Sequence, residues 1–356
     1  MDDTKALAER VPLFADLDEG ELRFVLRAAR RLTFDAGARL VRQGQAADTA
    51  LIMEHGRARV ISVLPGGGET VVGELGPGSV LGEMALLDAG VRSASVVASE
   101  PTACLSMERD AFRMLIAQGN RAVLAINYRI TLALCQRLRV LNGRILAHGA
   151  GDALVATGAA RAFIAREDTN PESLRQPCGF DFRAFLPLLS SLRAFDDDEL
   201  DELVKVSQVF DVPRGALLFV AGAASEACYV VVRGALEISR EHSGEQRRIG
   251  ILGPGRLCGI LGLIENQPHS MSATVREHST LLAIPRAVFL RYTSAEARGA
   301  WKFQQAVNQE LLQSLARTNN HLTRLISQAR IRNRAQEAHE LQQALAEQEC
   351  RAGVGE

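Results

Sequence analysis

Residues 75–87 read LGPGSVLGEMALL, and residues 252–264 read LGPGRLCGILGLI. A near-copy at this distance is an internal repeat, and a repeat decides the architecture before any single element is placed. The glycines extend it in both directions. Gly37, Gly44, Gly56, Gly78 and Gly82 are separated by 7, 12, 22 and 4 residues, and Gly215, Gly222, Gly234, Gly255 and Gly259 by 7, 12, 21 and 4. DAGARLVRQG at 35–44 matches VPRGALLFVAG at 212–222, and SASVVASEPTACLSM at 93–107 matches SATVREHSTLLAI at 272–284. The chain therefore carries two copies of one unit, about 178 residues apart. Its 356 residues also exceed what one compact core usually organises.

Within each copy the segments are short and rich in strand formers. GALEIS at 234–239 alternates apolar and polar residues with period two, as a half-buried strand does. LPGGGET at 64–70 and EHSGEQ at 241–246 fall at equivalent places and are read as hairpin loops. Many short strands separated by glycine turns predict a jelly roll. Helical segments flank the strands. From about 110 to 148, Ile126, Ile130, Leu134, Leu138, Leu141 and Ile145 recur every three or four residues and form one apolar face. The tail repeats that spacing at Val307, Leu311, Leu315, Leu322, Ile326 and Ala329. The predicted class is α+β, mainly β: two tandem double-stranded β-helix domains with flanking helices and a long C-terminal helix. The expected boundaries are 11–148, a linker at 149–180, 181–300, and a terminal helix at 301–356.

Between Gly82 and Ala94 the first copy reads G-E-x-A-L, five residues, then R-S-A. A short helix opening after a glycine turn points backbone N–H groups outward, which suits an anion. Gly82 lets the backbone approach a ligand closely. Arg92 supplies a forked, permanently charged donor for phosphate oxygens. Glu83 is an acceptor for a hydroxyl.

This segment resembles the phosphate-binding cassette of the cyclic-nucleotide-binding domain family, which includes the catabolite activator protein and the regulatory subunits of protein kinase A. The resemblance covers roughly 11–148 and 181–300. It implies that Arg92 pairs with the cyclic phosphate and Glu83 takes the ribose 2′-hydroxyl. It further implies that Ala85 and Leu86 offer backbone N–H groups, with Gly82, Met84, Ser93 and Ala94 beside them. CQRLRVLNGRI at 135–145 is similar to the base-reading helix of the catabolite activator protein, which puts the base-contacting pair on Leu141 and Asn142. The R-S-A ending is like that of bacterial cAMP receptors, so cAMP is the expected ligand, with cGMP the competing choice.

The second copy departs from the cassette. Ile260 stands where Glu83 does. The place of Arg92 falls to His269 or Met271, depending on which end is aligned; with the SATV end as anchor the segment is two residues longer. Neither residue carries a permanent charge, so the second copy is expected to bind no cyclic nucleotide.

The remaining features narrow the function class. Lys and Arg number 41 against 42 Asp and Glu, for a net charge of −1 without the basic excess typical of nucleic-acid binders. The first residues, MDDTKALAER, are no secretory signal, and no apolar run is long enough to span a bilayer. The six cysteines have no CxxC pairs and are read as reduced thiols of a cytoplasmic protein. No HExxH, GxSxG or GxxxxGK[ST] motif is present, so no metal, cofactor or enzymatic activity is expected. Trp301, at the start of the last helix, is read as a packing residue, and the arginines at 330, 332 and 334 as a solvated face.

The expected function is that of a receptor whose helices move on nucleotide binding and signal to an unidentified protein partner. A transcription factor would need a helix-turn-helix unit, for which the linker is too short, and the tail reads as one long helix without the turn glycine. A kinase regulatory subunit would need a paired-arginine inhibitor segment, which the ten or so residues before the first copy do not contain. A scaffold with idle sites conflicts with the intact first cassette. The apolar faces of the 110–148 segment and of the 303–329 tail are expected to hold a homodimer.

Overall fold

A computed structural model describes residues 9–63, 69–87, 90–148, 176–179, 181–242, 244–294, 297–322 and 324–325. The first copy contains β1 (Arg30–Phe34), β2 (Arg39–Val41), β3 (Ala46–Ala47), β4 (Thr49–His55), β5 (Ala58–Val63), β6 (Glu69–Leu75), β7 (Val80–Leu81), β8 (Gly90–Val91), β9 (Ser95–Ala98) and β10 (Thr102–Glu108). They form two four-stranded sheets, ordered β1-β10-β4-β7 and β2-β9-β5-β6, with a short β3-β8 ladder at one end. The second copy contains β11 (Gln176–Pro177), β12 (Gln208–Val212), β13 (Leu217–Phe219), β14 (Ala227–Arg233), β15 (Leu236–His242), β16 (Glu245–Leu252), β17 (Leu257–Cys258), β18 (Ser272–Val275) and β19 (Ser279–Pro285). Its sheets run β11-β12-β19-β14-β17 and β13-β18-β15-β16, the same order with β11 added at one edge. The two expected jelly rolls are present.

All ten repeated glycines have φ between +74° and +91°. Side chains rarely adopt that conformation, so the glycine spacing records where the chain turns between sheets. Each copy also opens on the same capping box. Asp18 Oδ1 accepts from Glu21 N at 2.8 Å before α1 (Glu19–Ala28), and Asp196 Oδ1 accepts from Glu199 N at 2.9 Å before the helix Asp197–Lys205.

Several expectations need correction. The 110–148 segment is two helices, Arg109–Ala117 and Arg121–His148, separated at Gly119 with φ +70°. The strand over 234–239 does not alternate cleanly, because Glu237 is buried and paired with Arg276 at 3.2 Å. The hairpin at 241–246 forms between β15 and β16, whereas residues 64–68 of its counterpart lie outside the described residues. Of the linker, 149–175 and 180 also lie outside them, and 176–177 form β11.

In chain order, α2 is Met84–Leu87, α3 Arg109–Ala117, α4 Arg121–His148, α5 Asp197–Lys205, α6 Ile260–Glu265, α7 Arg286–Thr293 and α8 residues 300–322. The apolar faces of α4 and α8 meet each other. Asn127 Nδ2 donates to Gln304 Oε1 at 2.7 Å, Thr131 Oγ1 to Asn308 Oδ1 at 2.6 Å, and Asn308 Nδ2 to Asn127 Oδ1 at 2.9 Å, all buried. The first two pairs are each separated by 177 residues, the repeat offset. Leu134, Leu138, Leu311 and Leu315 join the same core, and Ile145 packs with Leu322 and Leu325 further along. Equivalent positions of the two copies thus meet along one seam, so α4 and α8 run parallel. Polar residues at a few seam positions fix such a register.

The faces expected to hold a homodimer are therefore covered within one chain. Ile326, Ala329 and the arginines at 330, 332 and 334 lie outside the described residues. The core follows the same logic. Each jelly roll has its own interior cluster, while the largest cluster runs through both copies and both seam helices. Cys104, Cys135, Cys228 and Cys258 are buried without disulfides, and burial raises their thiol pKa values, that of Cys104 to about 11. Among the described residues no helix is long and apolar enough to cross a membrane.

Candidate functional site

Arg92 follows the short β8 strand, whose residues pair with Ala46 and Ala47 of β3. Its backbone is held on both sides: Arg92 N donates to Gln45 O at 2.8 Å, and Gly44 N donates to Arg92 O at 2.9 Å. Only 8% of the residue is exposed. Nη2 donates to Thr49 O at 2.7 Å and Thr49 Oγ1 at 2.9 Å, while Nη1 is buried with no partner. Burial lowers the Arg92 pKa, and the carboxylates of Asp48 and Glu83 oppose that shift. An arginine retains its charge under such conditions, so half of a charged fork is left unsatisfied.

Gly82 (φ +74°) makes room for this fork. A Cβ there would lie 2.0 Å from Arg92 Nη1 and 3.1 Å from Thr49 O. Glu83 follows, with Oε1 3.8 Å from Nη1 of Arg137, a residue of α4. Arg137 Nη1 also reaches Met84 Sδ at 3.7 Å. These groups surround a cavity of about 570 Å³ lined by Gly82, Glu83, Met84, Ala85, Arg92, Ser93 and Ala94. The wall opposite the strands comes from Arg137 of α4 and from Leu312, Gln313 and Ala316 of α8. Gln313 is anchored there by its carbonyl, which accepts from Arg256 Nη1.

The candidate residues distribute unevenly. Ala85 and Leu86 are buried, and their N–H groups already donate to Gly82 O at 2.9 Å and Glu83 O at 3.1 Å. They are therefore not free donors, and Leu86 does not line the cavity but packs in the core beneath it. Asn142 is in a different place altogether. It is 6% exposed and lines the cavity of the second copy, not the first. Trp301 is 36% exposed and borders a separate hollow beside Leu86 and Leu87, so it is not a core residue. The α8 residues and Arg137 were missed because nothing in the local sequence says which flank of a helix will meet a jelly roll far away in the chain.

The second copy shows what replaces the cassette. His269 N donates to Ala223 O at 2.9 Å, and Gly222 N donates to His269 O at 2.8 Å, the same pair of bonds that frames Arg92. Ser272 Oγ accepts from Ala221 N at 3.0 Å, as Ser95 Oγ accepts from Gln43 N at 3.0 Å. His269, not Met271, is therefore the counterpart of Arg92. The two segments have the same length, because β18 aligns with Ser95–Ala98 and not with the residues from Ser93. The His269 ring stacks on Phe219 at 3.8 Å between centroids and 12° between planes. Burial depresses its pKa to about 4, so it is neutral at pH 7. Ile260, in place of Glu83, is buried. Among the described residues no cluster of His, Cys, Asp or Glu is arranged to hold a metal ion.

Comparison with known proteins finds the same two-copy organisation. The family model for the cyclic nucleotide-binding domain matches residues 31–119 and 209–296. The chain is 24% identical over 279 residues to a cAMP-dependent protein kinase regulatory subunit of Yarrowia lipolytica, covering 78% of this chain and 58% of that protein. It is 34% identical over 128 residues to the cyclic AMP receptor protein of Thermus thermophilus, covering 36% of this chain and 57% of that protein. The chain thus spans somewhat over half the length of these curated relatives. Among solved structures, the catabolite activator protein of Thermus thermophilus is 30% identical, with a TM-score of 0.36 and coverage of 45% of this chain and 73% of that one. The regulatory domain of Toxoplasma gondii PKA with cAMP is 18% identical, with a TM-score of 0.30 and coverage of 83% and 93%. The chain belongs to the cyclic nucleotide-binding domain family and carries that domain twice in tandem.

Proposed function

We propose that the first copy binds one cyclic mononucleotide, cAMP in preference to cGMP, and that the chain acts as a non-enzymatic receptor signalling to a protein partner. The observation that carries this reading is the buried, unpartnered Nη1 of Arg92 beside the Gly82 turn. A charged donor left unpaired in a cavity is costly unless a ligand completes it, and a phosphate oxygen does so with charge assistance. Glu83 accepts from the ribose 2′-hydroxyl in this reading, which its position in the cavity lining beside Ser93 and Ala94 supports. Because the Ala85 and Leu86 N–H groups are engaged in the α2 turn, phosphate binding shares or opens those bonds, and cassette motion accompanies binding. The base then meets Leu312, Gln313 and Ala316, not Asn142. The preference for cAMP rests on the R-S-A ending of the cassette.

The route of the signal follows from the walls. Both seam helices border both cavities: Arg137 and Gln313 face the first, Asn142 and Thr318 the second. A nucleotide that draws α8 and Arg137 inward shifts the seam, provided it binds the closed arrangement more tightly. The second copy, with Ile260 and neutral His269 in the two key places, binds no cyclic nucleotide and serves as the platform that presents α8 to the first.

Calorimetric titration of cAMP into the wild type, Arg92→Ala and Arg92→Lys tests the assignment. Loss of a desolvated charge pair weakens binding by about 2–5 kcal/mol, roughly thirtyfold to several thousandfold. The lysine variant is also weakened because the fork is gone. Unchanged affinity in Arg92→Ala removes the site, and cGMP binding at least as tightly as cAMP removes the stated preference.

A further inference from the structure

The second copy retains a cavity of about 200 Å³, lined by both seam helices and its own jelly roll. It is smaller than the roughly 570 Å³ of the first, and its chemistry differs. Ile238, Leu257, Ile260, Met271 and Leu311 make the wall largely apolar. Its two charged lining residues are Glu310 and Arg317; Glu310 is held by Arg256 from outside the lining and by Arg317 at 3.2 Å, and Arg317 also donates to Ser314 Oγ at 3.0 Å. The stacked rings of Phe219 and His269 lie along one side. Asn142 reaches the cavity from α4, is 94% buried, and its Oδ1 has no hydrogen-bond partner.

We propose that this second cavity is a binding site for a small, uncharged, planar aromatic molecule that donates one hydrogen bond to Asn142 Oδ1. The lining is mostly apolar and its one cation, Arg317, is already engaged by Glu310 and Ser314 Oγ, so an anion gains little there against its desolvation. The volume sets the size: an apolar cavity of about 150 Å³ holds a benzene, so this one takes one or two fused rings. The Phe219–His269 pair offers a flat surface against which such a ring packs. A buried carbonyl oxygen without a donor is a standing cost that a ligand N–H or O–H removes.

The test is a ligand-observed NMR titration of the full chain, without nucleotide, using indole and its isostere benzothiophene, which lacks the N–H. Wild type binds indole saturably, about fivefold more tightly than benzothiophene, the value of one added hydrogen bond. Asn142→Leu abolishes that preference, and Ser314→Phe, which puts a ring into the cavity from α8, weakens both ligands at least about tenfold. If a variant does not fold, methionine-methyl spectra of the wild type decide: the Met271 resonance shifts with indole, and that of Met53, buried in the other jelly roll, does not. Absence of saturable indole binding, an indole preference that survives Asn142→Leu, or a shift at Met53 instead of Met271 overturns the proposal.

Discussion

Gly82→Ala separates the two jobs of one glycine, and the repeat supplies its control. At φ +74° an alanine is strained by about 1–2 kcal/mol. Its Cβ would also lie 2.0 Å from Arg92 Nη1, so the guanidinium must leave. In moving, it gives up the bonds to Thr49 at 2.7 and 2.9 Å that aim it. The phosphate then loses a preorganised charged partner, a further effect of about 2–5 kcal/mol on binding. Gly259 has the same backbone conformation, φ +83°, but a Cβ there meets only Ala227 O at 3.1 Å, His269 Cε1 at 3.3 Å and Phe219 Cε1 at 3.6 Å. Gly259→Ala therefore carries a comparable strain with no effect on Arg92. In thermal unfolding both variants lose about 2–8 °C, taking roughly 2–4 °C per kcal/mol. In calorimetry with cAMP only Gly82→Ala loses affinity, by at least about thirtyfold. If Gly82→Ala binds cAMP like the wild type, Arg92 is not the phosphate ligand.

Three other outcomes follow from the seam and from the second copy. Asn308→Ala removes the side-chain acceptor of Thr131 Oγ1 and leaves Asn127 Oδ1 without its donor in the interior, which destabilises the chain by about 1–3 kcal/mol, read from denaturant midpoints. Leu322→Glu puts a charge against Ile145 and Leu325 and costs at least about 2 kcal/mol; since the seam lies within one chain, light scattering gives an unchanged particle mass, and a halved mass without loss of melting temperature would assign the seam to a dimer. His269 is held neutral down to about pH 4, whereas in the unfolded chain it takes a proton near 6.5. The unfolded state binds more protons between these values, so this contribution to stability is complete above about pH 6.5 and is lost as pH falls toward 4. Wild type accordingly loses more melting temperature over that interval than His269→Gln, and parallel curves for the two would contradict the assignment.

The repeat was legible because it is written in glycines. A positive φ is a local demand that few other residues meet, so ten positions and their spacing survive translation from sequence to structure. The cassette was legible for a similar reason, since Gly82, Glu83 and Arg92 act within one stretch of chain. The rest depends on distance. That Leu312, Gln313 and Ala316 wall the first cavity, and that Asn142 belongs to the second, follows from the parallel seam, which joins residues 177 apart. Apolar spacing marked the faces of α4 and α8 but did not say that they face each other; Asn127, Gln304 and Asn308, buried polar residues on those faces, are what set the register. The alignment of His269 was obscured by the similar SAS and SAT triplets, which sit two residues apart in register. The backbone bonds that frame Arg92 and His269, and the matching bonds to the Ser95 and Ser272 hydroxyls, equate them.

A chain with one nucleotide site differs from a chain with two, or with none, in a single number. Isothermal titration of the full chain with cAMP measures this as a stoichiometry. One nucleotide per chain is expected in the wild type and none in Arg92→Ala at concentrations that saturate the wild type. Two nucleotides per chain, or one retained in Arg92→Ala, would contradict it.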